Sequence, residues 1–206
     1  MNDVFDLDEE MPIHQVIKRI ENLNRGLAHF WKAAHSWAPV EAAGLLSKSR
    51  LDWQVSLSSS LSLWWRDPPN SLSDGELILA WANLGSLIEG TLKLFLSVYY
   101  NDFRNDIDNF KASGIYNKKS KSSKSPDGLT LEPLRKYVLA GALVEPEGDA
   151  LIKKVQDRRN AIHAFQDRPI GDDAEFWGAV RGYLNMLRGV NDRLPYPDDL
   201  YGPRET

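Results

Sequence analysis

The chain has 206 residues, 42% hydrophobic and 26% charged, proportions of an ordinary globular domain with a sizeable core, not of a disordered or fibrous protein. Its 25 Lys and Arg stand against 29 Asp and Glu, a net charge of −4, so nucleic acid would have to be held by local patches, not by the whole surface. The absence of Cys excludes disulfides, thiolate catalysis and Cys-based zinc sites, and fits a reducing, cytoplasmic setting.

Residues 1–11 form an acidic lead-in without the apolar stretch of a secretory signal. From Pro12, apolar residues recur every three or four positions (Ile13, Val16, Ile17, Ile20, Leu23, Leu27, Phe30, Trp31), which predicts a long first helix that Pro39 stops. A second helix runs from Ala42 to Trp64, although its Val55–Leu63 portion also satisfies the two-residue alternation of a strand. After a proline-containing connector, Ser73 and Glu76 form a capping-box pattern opening a third helix to about Arg104. That helix is apolar on most faces and is expected at the centre. Its most apolar window, Leu84 to Tyr100, is interrupted by Glu89 and Lys93, so no membrane span or membrane partner is expected.

Residues 111–128 carry Gly, Ser and Lys in place of a packing pattern, and predict a mobile loop. Lys118, Lys119, Lys121 and Lys124 within it are either a solvated run or an aid to holding an RNA backbone. Thr130 caps a shorter helix, Pro146 opens another that ends near Phe165, and Asp172 with Glu175 marks the start of a last helix to about Leu194. Residues 195–206 contain three prolines and read as an extended tail. Residues 12–194 thus form one all-α domain, with no internal repeat and no linker.

The segment Asp157-Arg158-Arg159-Asn160-Ala161-Ile162-His163-Ala164-Phe165 gathers two guanidiniums, a carboxamide and an imidazole beside apolar positions. On a helix, Arg159 and His163 are i,i+4 neighbours and Asn160 is i,i+3 from the same His, whereas Arg158 lies about 140° around the axis. A guanidinium can hold a phosphate and offset transition-state charge, and an imidazole can move a proton near neutral pH. The competing reading pairs both arginines with acidic neighbours and hydrogen-bonds His163 in the core. Glu89, among Leu87, Ile88 and Leu92, needs a partner, either a guanidinium of this segment or Lys93 at i+4. No metal site is expected, because Cys is absent and the four His are dispersed. Gly-rich phosphate loops and Gly-x-Ser-x-Gly elbows are also absent.

The segment resembles the signature of the HEPN superfamily, in which an Arg and a His enclose four to six residues and a polar residue commonly follows the Arg. Arg158 to His163 encloses four residues, whereas Arg159-Asn160 looks like the family's Arg-Asn pair but stands only three residues from His163. By that spacing Arg158 is expected to take the main role, with Arg159 close behind. The Leu84–Gly90 stretch of the third helix is similar in style to the family's upstream helix. The resemblance implies an antiparallel bundle of about five to six helices that forms a homodimer across a shared cleft. It implies a metal-independent endoribonuclease needing no cofactor, with RNA as substrate, acting as a toxin or antiphage effector under an antitoxin or other regulatory protein. Arg158, Arg159, Asn160 and His163 would be catalytic and Glu89 supporting. Family members that have lost the motif only bind, which leaves a non-catalytic module for RNA, a nucleotide or a protein as the alternative.

Overall fold

The computed structural model describes residues 11–33, 40–66, 71–163, 165, 167–197 and 202–205. The helices are α1 (Ile13–Lys32), α2 (Val40–Lys48), α3 (Leu51–Ser60), α4 (Asp74–Val98), α5 (Tyr100–Asn105), α6 (Ile107–Ala112), α7 (Leu131–Ala140), α8 (Pro146–Arg159) and α9 (Asp173–Arg193). Among the described residues there is no strand, only an isolated bridge between Asn117 and Ser122. The protein is all-α. No described helix is long and apolar enough to cross a membrane.

Helix α4 occupies the centre, packed by α2, α3, α7, α8 and α9, while α1 closes the bundle against α3 and α9. The apolar stripe of α1 (Val16, Ile20, Leu23, Leu27, Trp31) is buried as its spacing requires, and Trp81, Leu84, Leu87 and Ile88 of α4 have no exposed surface. The start of α4 follows from its sequence: the Glu76 carboxylate accepts from the Ser73 N–H (2.9 Å) and hydroxyl (2.8 Å).

The second predicted helix is two, α2 and α3, separated at Ser49–Arg50. The Val55–Leu63 stretch is helical, not a strand, and its serines bond back along the chain: Ser58 to the Gln54 carbonyl (2.9 Å) and Ser60 to that of Leu57 (2.9 Å). Ser58 also belongs to a buried polar knot. Asn24 Nδ2 donates to Ser58 Oγ (2.8 Å) and to the Tyr183 hydroxyl (3.3 Å), Gln54 Nε2 donates to the Leu87 carbonyl (2.7 Å), and Thr91 Oγ1 bonds Tyr183 (3.0 Å). Four helices are joined there with their polar groups paired, which specifies one arrangement of the bundle. A Cβ at Gly90 would lie 2.2 Å from Gln54 Oε1, so a larger residue there would have to displace the Gln54 side chain from the knot.

The third predicted helix breaks at Tyr99 into α4 and α5. Residues 111–128 carry more local structure than their composition suggests. α6 continues to Ala112, Asn117 Oδ1 accepts from the Lys119 N–H (2.9 Å) in a tight turn, and a 3₁₀ turn at Pro126–Gly128 rests on α4 with Pro126 buried. Lys118, Lys119, Lys121 and Lys124 are exposed.

In the tail, residues 202–205 dock between α1 and α9. Pro203 fills the space over Gly26, and Glu205 pairs with Arg19 (3.0 Å) and Arg188. The acidic lead-in at 1–10 and residues 198–201 and 206 of the tail lie outside the described residues.

Candidate active site

Helix α8 begins with Pro146 at its first turn and buries Ile152 and Val155 against α4. Its last turn carries Arg158 and Arg159, cations at the negative end of the helix dipole. The α-helix stops there. Asn160–Ile162 form a single 3₁₀ turn, and the His163 N–H bonds the Asn160 carbonyl (3.2 Å). The helix predicted to reach Phe165 is thus shorter, and His163 lies beyond its end instead of on its face.

The two arginines are held differently. All three nitrogens of the Arg158 guanidinium are engaged. Nε and Nη2 form a fork on Glu175 (3.2, 3.0 and 3.0 Å), and Nη1 donates to the Pro169 carbonyl (2.7 Å). Asp172 caps α9 by accepting from the Glu175 N–H (2.8 Å), which leaves the Glu175 side chain to bind Arg158. Gly171 makes the approach feasible. Its φ of +73° favours glycine, and a Cβ there would stand 2.3 Å from Glu175 Oε2 and 3.2 Å from Arg158 Nε.

Arg159 lies with its stem across α4 at Gly85, where a Cβ would come within 2.6 Å of Arg159 Cδ. Its Nη1 donates to Glu89 (2.9 Å), and the other Glu89 oxygen accepts from Lys93 (2.9 Å). Both partners considered for Glu89 are therefore present together. Burial acts to raise the Glu89 carboxyl, but hydrogen bonds from Lys93 and Arg159 outweigh it and hold the group below the ordinary carboxylate value.

His163 is exposed, as are Ile162 (48%) and Phe165 (106%) beside it. Neither Asn160 nor His163 makes a side-chain hydrogen bond to a described residue. The structure therefore brings Arg159, Glu89 and the start of the 3₁₀ turn together at one end of α8, ties Arg158 to α9, and leaves the imidazole at the surface. Among the described residues, no three His, Asp or Glu side chains are grouped so as to hold a metal ion. Glu175 and Gly171 escaped the sequence reading as site residues: the Asp172–Glu175 capping pattern was visible, but the carboxylate's distant partner was not.

No family model matches the chain, and no curated protein or solved structure is found to be similar to it.

Replacing Arg158 by Ala should cost about 1–3 kcal/mol, because a half-buried carboxylate and a carbonyl lose their donor together. Urea unfolding of Arg158→Ala and Arg159→Ala checks the contrast, with the smaller loss expected at Arg159, whose guanidinium makes one bond. Acid should also act through Glu89. Its folded carboxyl titrates below the unfolded value of about 4.3, so its contribution is complete above that pH and disappears as pH falls through the lower folded value. The melting temperatures of wild type and Glu89→Gln should therefore converge as pH falls below about 4.3.

Proposed function

We propose that the protein is a HEPN-like, metal-independent endoribonuclease in which the 2′-hydroxyl of RNA attacks the adjacent phosphorus. The observation that carries the reading is a guanidinium, Arg159, held by Glu89 and packed on Gly85, followed four residues later in the chain by an exposed imidazole that bonds no described residue. In this reading Arg159 and Asn160 hold the scissile phosphate, and His163 takes the proton of the 2′-hydroxyl as the new O–P bond forms. The bond to the 5′-oxygen breaks, leaving a 2′,3′-cyclic phosphate and a 5′-hydroxyl that requires a proton. Arg158 acts as a positioning residue: its fork on Glu175 and its bond to Pro169 fix the chain that leaves His163.

The single imidazole of the segment, His163, supplies one acid or base per chain, and the reaction uses both. A homodimer with its two-fold axis near Ile162 and Phe165 supplies the second and covers two exposed apolar side chains. Such an enzyme would act as a toxin or antiphage effector restrained by an antitoxin or regulator, and the absence of Cys fits a cytoplasmic setting for it. A non-catalytic binding module is the second reading, favoured by the carboxylate partner that each arginine already has. Incubating the purified protein with cellular RNA in EDTA decides between them: fragmentation supports the nuclease, and intact RNA bound by the protein supports the module.

A further inference from the structure

The line of α4 that runs from Gly85, where Arg159 packs, through Glu89 reaches Lys93, about 12 Å along the helix at 1.5 Å per residue; Gly85 is buried and Glu89 and Lys93 are half-buried. Lys93 there borders a cavity of about 230 Å³ between α4 and the junction of α2 with α3. Lys48, Arg50 and Lys93 line it, with Asp127 as the carboxylate among its lining residues. Two unused polar features face the same space. Ser97 is only 7% exposed, and its hydroxyl bonds no described residue. α3, ten residues long, begins at Leu51 after Arg50, an N-cap that makes no side-chain cap bond, and Arg50, Leu51 and Gln54 at this positive dipole end line the cavity.

Trp53, whose ring lies against the lining residue Arg50, is 58% exposed, whereas Trp31 and Trp81 are buried. The Arg50 guanidinium sits 4.0 Å from the centre of the Trp53 ring and is itself pinned by Asp52, Nε to Oδ1 at 2.8 Å. Trp53 is i,i+7 from Ser60, which bonds Asn83 of α4 at 3.0 Å, so the indole lies on the α3 face that flanks α4. A stiffened, exposed aromatic ring next to an uncapped helix start and two lysines is an arrangement that suits a base and its phosphate. Lys124, packed near Gly128, brings the Lys-rich turn to the Asp127 side of the same cavity.

We propose that this cavity and Trp53 form a second contact for single-stranded RNA: a phosphate away from the scissile one sits against Lys48, Lys93 and Ser97, and a base stacks on Trp53. The inference rests on the endoribonuclease reading, because it extends the path of the strand that Arg159 holds. Its test is the binding of fluorescent oligouridine to the His163→Ala protein, which would leave the strand uncut, across a salt series in EDTA. Trp53→Ala on that background should weaken binding about tenfold, the loss expected of one stacked base. Lys48→Ala should lower the slope of log affinity against log salt by about 0.7, the signature of one lost phosphate contact on a single strand. Both side chains are exposed, so melting temperatures should not move. Unchanged affinity and slope in both variants, with cleavage by wild type still dependent on His163, would overturn the second contact and leave the nuclease standing. Absence of both cleavage and RNA binding would remove the nuclease reading and this contact with it. Equal losses in binding a polyglutamate peptide would mark a face for acidic proteins and overturn the assignment to RNA.

Discussion

His163→Ala is expected to lower RNA cleavage about 10²–10⁴-fold, the usual loss for a positioned acid or base. Its melting curve should stay close to wild type. The imidazole is exposed, bonds no described residue and follows a 3₁₀ turn whose own hydrogen bond uses only its backbone N–H. Truncating such a side chain leaves no cavity and orphans no buried partner, so stability and activity separate. Cleavage assays and thermal melts on the same preparation check both halves. Loss of activity together with a collapsed melting temperature would assign His163 a structural role.

The largest stability effect is expected at Trp81. Trp81→Ala should cost about 3–5 kcal/mol, the range for deleting a buried aromatic side chain. The indole has no exposed surface, meets Phe176 edge-on at 5.2 Å and donates from Nε1 to the Ile170 carbonyl at 2.7 Å. It thereby joins α4 to the start of α9 and to the chain that returns from His163. Trp81→Phe should recover most of the packing but leave the Ile170 carbonyl without its donor, a loss of about 1–3 kcal/mol. Urea unfolding gives the order wild type, Phe, Ala. Because the same segment carries Pro169 and Gly171 of the Arg158 clamp, Trp81→Ala should also reduce cleavage at temperatures where the protein remains folded.

Local chemistry explains which parts of this fold could be read from the sequence. The stripe from Val16 to Trp31 and the Ser73–Glu76 cap depend on residues within a few positions of one another, and both occur in the structure as their spacing predicts. The end of α8 does not. Nothing in Arg-Asn-Ala-Ile-His breaks a helix, and the departure after Arg159 coincides with distant contacts: Arg158 to Pro169 and Glu175, Trp81 to Ile170. The same holds for Glu89. Its need for a partner followed from its apolar neighbours, but only the packing of α8 on Gly85 brings Arg159 to it alongside Lys93. The polar knot around Tyr183 was hidden for a related reason, since its four helices contribute polar residues that are unremarkable one at a time.

The chemistry of the cut ends tests the central claim most directly. Purified protein is incubated in EDTA with an RNA oligonucleotide and with the same oligonucleotide carrying one 2′-deoxy residue at the mapped cleavage position. Attack by the 2′-hydroxyl predicts a 2′,3′-cyclic phosphate and a 5′-hydroxyl on the products of the first, and no cleavage at the deoxy position of the second. A 5′-phosphate on the products, or cleavage at the 2′-deoxy position, would contradict it.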